Sequence, residues 1–195
     1  MRGDIDHFGT KCEQLHAILT KGQIFNFRKG REFLSDSRSH AEFPAQGLYL
    51  MLENGEWAHG GQRIVRVGIN TSGTLLRRLN RHINGRARTS IFRKHLFRIL
   101  GSEQKVTEYI EDKIKFYVIG DPGNRRKELE KKIIGTISGC AGCRPSWKWL
   151  GRQSLTPAIE KSGLWNVHFV FSSNSLDQDD LKYIEDNIFR IRREK

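Results

Sequence analysis

The sequence predicts an α+β fold in which short antiparallel strands alternate with helices. Three observations predict it. The apolar stretches GLYLMLE (47–53), QRIVRVGI (62–69) and KIKFYVIG (113–120) are short and alternate faces with a period of two. Amphipathic stretches of helical period follow the second and third of them. The first two strands are separated only by the turn-rich NGEWAHGG, which suits an antiparallel hairpin with a long loop. The order does not suit a parallel, doubly wound sheet.

The elements follow in chain order. Residues 8–35 read as a helical or irregular extension, and SDSRSHAEFPAQ, polar and containing a proline, reads as a connector. After the hairpin, NTSG breaks the chain and TLLRRLNRHI (74–83) reads as a helix, followed by a second in SIFRKHLFRIL (90–100). Asp121-Pro122 reads as the start of a helix running to about Ser138, with Asp as cap and Pro in the first turn. A loop-rich stretch with room for a short helix leads to LWNVHFVFS (164–172), which resembles a late strand. Ser175 or Asp177 then caps a C-terminal helix whose Leu181, Ile184, Ile188 and Ile191 share one stripe. A chain of 195 residues fits one domain. Within it, 1–45 form an N-terminal extension, 46–138 a core, and 139–195 a C-terminal loop, strand and helix.

Composition narrows the partners. There are 34 Lys+Arg against 22 Asp+Glu, a net charge of +12. Such a field attracts polyanions, and nucleic acid leads because neutralised phosphates release counterions. No run approaches the roughly 18 apolar residues of a membrane span. The start MRGDIDHFGTKCEQ lacks the apolar region of a signal peptide. The three cysteines are therefore expected to be reduced, in an intracellular, cytoplasmic setting.

Side chains alternate along strands. Leu48, Leu50 and Leu52 share one face, with Gly47, Tyr49 and Met51 opposite. Val65, Val67 and Ile69 leave Arg66 and Gly68 on the other face, while Ile114, Phe116 and Val118 leave Lys115 and Tyr117. On the helix after Gly68, Arg77 and Arg81 point away from the apolar stripe, as solvated or phosphate-contacting groups. Arg78 and His82, four apart, sit together on the stripe's edge, where they line a cleft or simply complete an amphipathic surface. On the next long helix Glu130 falls inside the stripe of Leu129, Ile133, Ile134 and Ile137. A carboxylate there calls for a salt bridge or a divalent cation. Tyr, Arg, His and Glu on a basic protein make a phosphodiester-cleaving set: a proton shuttle, a phosphate clamp and a charge stabiliser.

Gly47-Leu48-Tyr49, then Arg66-Val67-Gly68, then Arg78-Leu79 and His82, then Glu130 on a helix, together resemble the GIY-YIG nuclease family. The resemblance covers roughly 46–138, and SWKWLGR and SGLWNV look like the tail of a bacterial, restriction-endonuclease-like branch. It implies a small three-stranded antiparallel sheet flanked by helices, cutting double-stranded DNA with one Mg²⁺ or Mn²⁺ ion per active site. On that basis Tyr49 positions or deprotonates the attacking water, Arg78 contacts the scissile phosphate, His82 assists proton transfer and Glu130 is the metal ligand. Arg66 stands where the second motif has tyrosine, either as a second phosphate ligand or as a mark of altered chemistry. Arg77, Arg81 and Arg93 are further candidates for phosphate or DNA contact. The segment after Glu130 (CAGCRPSWKW) holds no asparagine to match the polar residue the family often supplies there.

Three features stand outside that set. Cys12-x-x-x-His16 and Cys140-x-x-Cys143 offer four zinc-type ligands, though far apart in the chain. His95 lies among Arg93, Lys94 and Arg98, for phosphate contact or a plain surface role. Trp147 and Trp149 suit the core or stacking on a base.

The leading expectation is a metal-dependent, sequence-specific restriction-type endonuclease. Cutting both strands favours a homodimer or two sequential nicks. The alternatives are a nucleic-acid-binding module with a degenerate site and a structure-specific repair nuclease.

Overall fold

The computed structural model describes residues 3–27, 43–121 and 123–190. Most of the expected connector, part of the N-terminal extension, Pro122 and Ile191 lie outside the described residues. Helix α1 (Gly3–Leu19) and a short strand β1 (Phe25–Asn26) precede the hairpin of β2 (Gly47–Ala58) and β3 (Gly61–Ile69). Helices α2 (Leu75–Ile83), α3 (Ile91–Leu100) and α4 (Glu103–Lys113) lead into β4 (Ile114–Gly120). Helix α5 (Arg126–Gly139), two 3₁₀ turns (Ala141–Cys143 and Leu150–Gln153), α6 (Pro157–Ser162) and α7 (Gln178–Asn187) complete the order. The fold is α+β, as expected. The antiparallel sheet has four strands, in the order β1-β4-β2-β3, because the two-residue β1 joins the edge of β4.

Polar groups set the boundaries. Thr74, Ser90 and Ser102 cap α2, α3 and α4, each accepting from the backbone N–H three residues on. Asp177 and Asp180 form a reciprocal capping box on α7. Asp121 acts at a distance: its carboxylate accepts from the Arg125 and Arg126 amides at 2.7 and 2.9 Å, so α5 begins later than the sequence suggests.

Three other expectations are corrected and one helix is added. NGEWAHGG is not a long loop: β2 continues through it to a two-residue turn at His59-Gly60, both with positive φ (50° and 75°). That is the handedness a tight hairpin needs. Met51 pairs with Arg66 but Leu52 with Ile64, so Val65 is the extra residue of a bulge. Val65 therefore joins the core opposite that of Val67 and Ile69. Residues 103–113, unassigned from sequence, form α4. Residues 164–172 are not a strand; Phe169 and Phe171 have φ of 65° and 57°, which breaks extended geometry.

The sheet separates two cores. Leu48, Leu50, Ile64, Val67 and Ile119 pack with residues of α1, α5 and α7. Tyr49, Met51, Val65, Phe116 and Val118 pack with residues of α2, α3 and α4 and with Trp149 and Trp165. Tyr117 belongs to the first core, away from Tyr49. Among the described residues no helix is long and apolar enough to cross a membrane.

Candidate active site

Tyr49 leaves β2 on the α2 side and is fully buried. Its cross-strand partner is Gly68, and a Cβ there would lie 2.2 Å from the Tyr49 hydroxyl oxygen. The ring occupies the space a side chain would take, so the glycine is a steric requirement. Tyr49 Oη lies 2.7 Å from His82 Nε2, and His82 Nδ1 lies 3.0 Å from Ser90 Oγ. Nδ1–H donating to Ser90 leaves Nε2 free to accept the tyrosine proton. Burial, then the charges of Arg66, Arg78 and Arg93, hold the His82 imidazole well below its ordinary pKa, so it is neutral.

Beside this pair lies a cleft of about 430 Å³, lined among others by Arg66, Arg78, Lys94, His95, Arg98 and Glu130. The helix positions predicted for Arg78 and Glu130 bring both to it. Arg66 comes from β3, where its NH1 donates to the Trp165 carbonyl at 2.6 Å and its guanidinium lies over Phe92. The Nε atoms of Arg66 and Arg78 are buried without a hydrogen-bond partner among the described residues. Glu130 is half-buried and has no hydrogen bond or ion pair among the described residues. Burial raises its carboxyl pKa, while Arg66, Arg78 and His168 pull the other way. Tyr49 and His82 do not line the cleft; they stand behind its arginines.

Other candidates fall elsewhere. Arg77 and Arg81 are exposed on the outer side of α2. Arg93, expected to contact phosphate, is instead 1 % exposed. Its guanidinium donates to the His82 and Ile83 carbonyls at 3.0 Å and to Glu103 and Thr107 at 2.9 Å, tying α2 to α3 and α4. Trp149 is core, donating to Glu53, whereas Trp147 is exposed.

Two further residues contribute, one left open from sequence and one missed. His95, read as a phosphate contact or a surface residue, is buried on the cleft wall with Nδ1 unpartnered among the described residues; burial and then Arg66, Arg98 and Lys94 lower its pKa to about 4. Asn166, on the cleft wall, binds Val67 as a strand would, accepting from its N–H at 3.0 Å and donating to its carbonyl at 2.9 Å. With Trp165 N–H donating to Val65 O at 2.7 Å, it lays the C-terminal segment along the free edge of β3. The basic cluster around His95 was the available signal for the first. For Asn166 there was none, because its role arises only from tertiary contact.

A model of the GIY-YIG domain matches residues 9–111 and 98–194, nearly the whole chain. The chain belongs to the GIY-YIG family. Searches of curated proteins and of solved structures found no match. Membership in this family implies nuclease chemistry. Of the four motif positions of the GIY-YIG resemblance, Tyr49 and His82 meet directly, and Arg78 and Glu130 share the adjoining cleft.

Proposed function

We propose that the protein is a metal-dependent DNA endonuclease with its phosphodiester bond cut in the Arg66–Arg78–Glu130 cleft. The observation that carries this reading is the convergence of a Tyr–His hydrogen-bonded pair with a cleft holding Arg66, Arg78 and the Glu130 carboxylate, unpaired among the described residues. Arg78 and Arg66 clamp the scissile phosphate, each with an Nε still to be satisfied. Tyr49 takes the proton of the attacking water while passing its own to His82. A phosphate bound between the arginines offsets the positive field that keeps His82 neutral, so substrate itself makes His82 a better proton acceptor. Access for the water requires Arg66 or Arg78 to draw aside, since Tyr49 is buried.

The lone carboxylate of Glu130 fits Mg²⁺ or Mn²⁺, which is commonly held by one or two carboxylates together with phosphate oxygens and water. When bound, the ion supplies stabilisation of charge developing on the leaving oxygen.

The strong positive charge supports double-stranded DNA as partner. A restriction-type enzyme working inside the cell, as a homodimer or by two sequential nicks, is the finer reading. The deciding experiment incubates purified protein with duplex DNA of varied sequence and Mg²⁺ or Mn²⁺, alongside Glu130→Ala and Tyr49→Phe. Cutting by wild type at fixed positions, lost in both variants, supports it. No cutting, or unimpaired variants, overturns it. Arg66 at the second motif tyrosine favours a second reading, a DNA-binding module that has lost cleavage. Tight, metal-independent binding without strand scission would identify that case.

A further inference from the structure

We propose that Cys12, His59, Cys140 and Cys143 bind one structural zinc ion, independent of the nuclease cleft. The four residues come from α1, the turn between β2 and β3, and the end of α5 with its following 3₁₀ turn. Their ligand atoms all lie within 4.8 Å of one another. Cys12 Sγ is 3.2 Å from Cys143 Sγ, and His59 Nε2 is 3.2 Å from Cys140 Sγ. A tetrahedral zinc with bonds of about 2.0–2.3 Å sets its ligands about 3.3–3.8 Å apart. The spacing thus suits a single ion and is too tight to enclose a polynuclear cluster. Three thiolates and one imidazole are a soft donor set that favours zinc, and four protein ligands close the site to substrate.

Two local features point the same way. His59 adopts a left-handed backbone (φ 50°) at a turn position that favours Asn, Asp or Gly. That conformation brings its imidazole to the thiols. At Gly142, inside the CxxC, a Cβ would lie 2.9 Å from the His59 ring. Any other residue there would crowd the imidazole away from Cys140. The cysteines are buried, and a cleft bordered by Cys140, Cys143 and Arg144 gives the ion a way in. His16, the imidazole suggested by sequence, lies 3.8 Å from Cys143 Sγ and outside the four-atom group. Binding releases the three thiol protons to solvent, leaving a site of net charge −1.

The experiment measures metal in the purified full chain by mass spectrometry and records the visible spectrum after exchange with Co²⁺. The expected result is about one zinc per chain, with sulfur-to-cobalt charge-transfer and tetrahedral bands after exchange. Cys140→Ser lowers zinc content at least about twofold, whereas His16→Ala and His59→Cys each keep about one zinc. Should Cys140→Ser fail to fold, the wild-type zinc content and cobalt spectrum decide alone. Metal-free protein with free thiols, a Cys12–Cys143 disulfide, iron in place of zinc, or zinc lost from His16→Ala but kept in His59→Ala would overturn the assignment.

Discussion

The Tyr49 hydroxyl and His82 Nε2 lie 2.7 Å apart in a place neither side chain shares with solvent. They come from strand β2 and helix α2, 33 residues apart in the chain. Tyr49→Phe keeps the ring over Gly68 and deletes only the hydroxyl. We expect single-turnover cleavage to fall about 10²–10⁴-fold. Orphaning His82 Nε2 should cost about 1–3 kcal/mol of stability. Quenched nicking assays with matched thermal melts read both.

Gly68→Ala puts a methyl group where the Tyr49 ring lies. The strand must move or the ring must swing out, costing about 1–3 kcal/mol. Cleavage should fall further than stability explains, because the hydroxyl leaves His82. Comparing Gly68→Ala with a core variant of equal melting temperature separates the two effects. Equal activity in the pair would refute the steric role of Gly68.

Surface and buried arginines should part company. Arg77→Ala and Arg81→Ala should weaken DNA binding across sequences and reduce the salt slope by about 0.9 per lost phosphate contact. Arg93→Ala should act on folding instead. It orphans the His82 and Ile83 carbonyls, at a cost of about 1–3 kcal/mol for each left unsatisfied. Binding titrations across salt concentrations, with chemical denaturation, distinguish the groups.

His95 gives stability a pH dependence. Its folded pKa, about 4, lies below the ordinary histidine value of 6.5. Between these values the unfolded chain binds more protons, so protonation favours unfolding. The stability tied to neutral His95 is fully present above pH 6.5 and is lost as pH falls toward 4. His95→Gln should flatten the melting-temperature profile over that window and leave it unchanged above. A profile identical to wild type would show that His95 does not carry the effect.

Much of the fold was legible because local signals agreed. The period-two runs found three strands, and the helix phase placed Arg78, His82 and Glu130 on inward edges. Three things were not legible, each for a tertiary reason. The bulge at Val65 breaks strict alternation without any glycine or proline to mark it. Arg93 reads as surface charge in a basic run, yet its partners lie on two other helices, α2 and α4. The fourth member of the thiol cluster is His59 and not the nearer-looking His16, because a hairpin tip brings it there.

The extra residue at Val65 changes the arithmetic of the strand. Arg63 and Arg66 are three apart, a spacing that sends side chains to opposite sides of a regular ladder. Here both reach the tryptophan layer: Arg63 lies over Trp149 and bonds Glu56, while Arg66 holds the Trp165 carbonyl. The inserted residue is a parity switch. Deleting Val65 would leave Arg63 and Arg66 two apart, on one face of a regular ladder, and would remove only the valine's own place in the core. Flattening the bulge with Val65 kept would instead force the strand to choose which arginine to misplace.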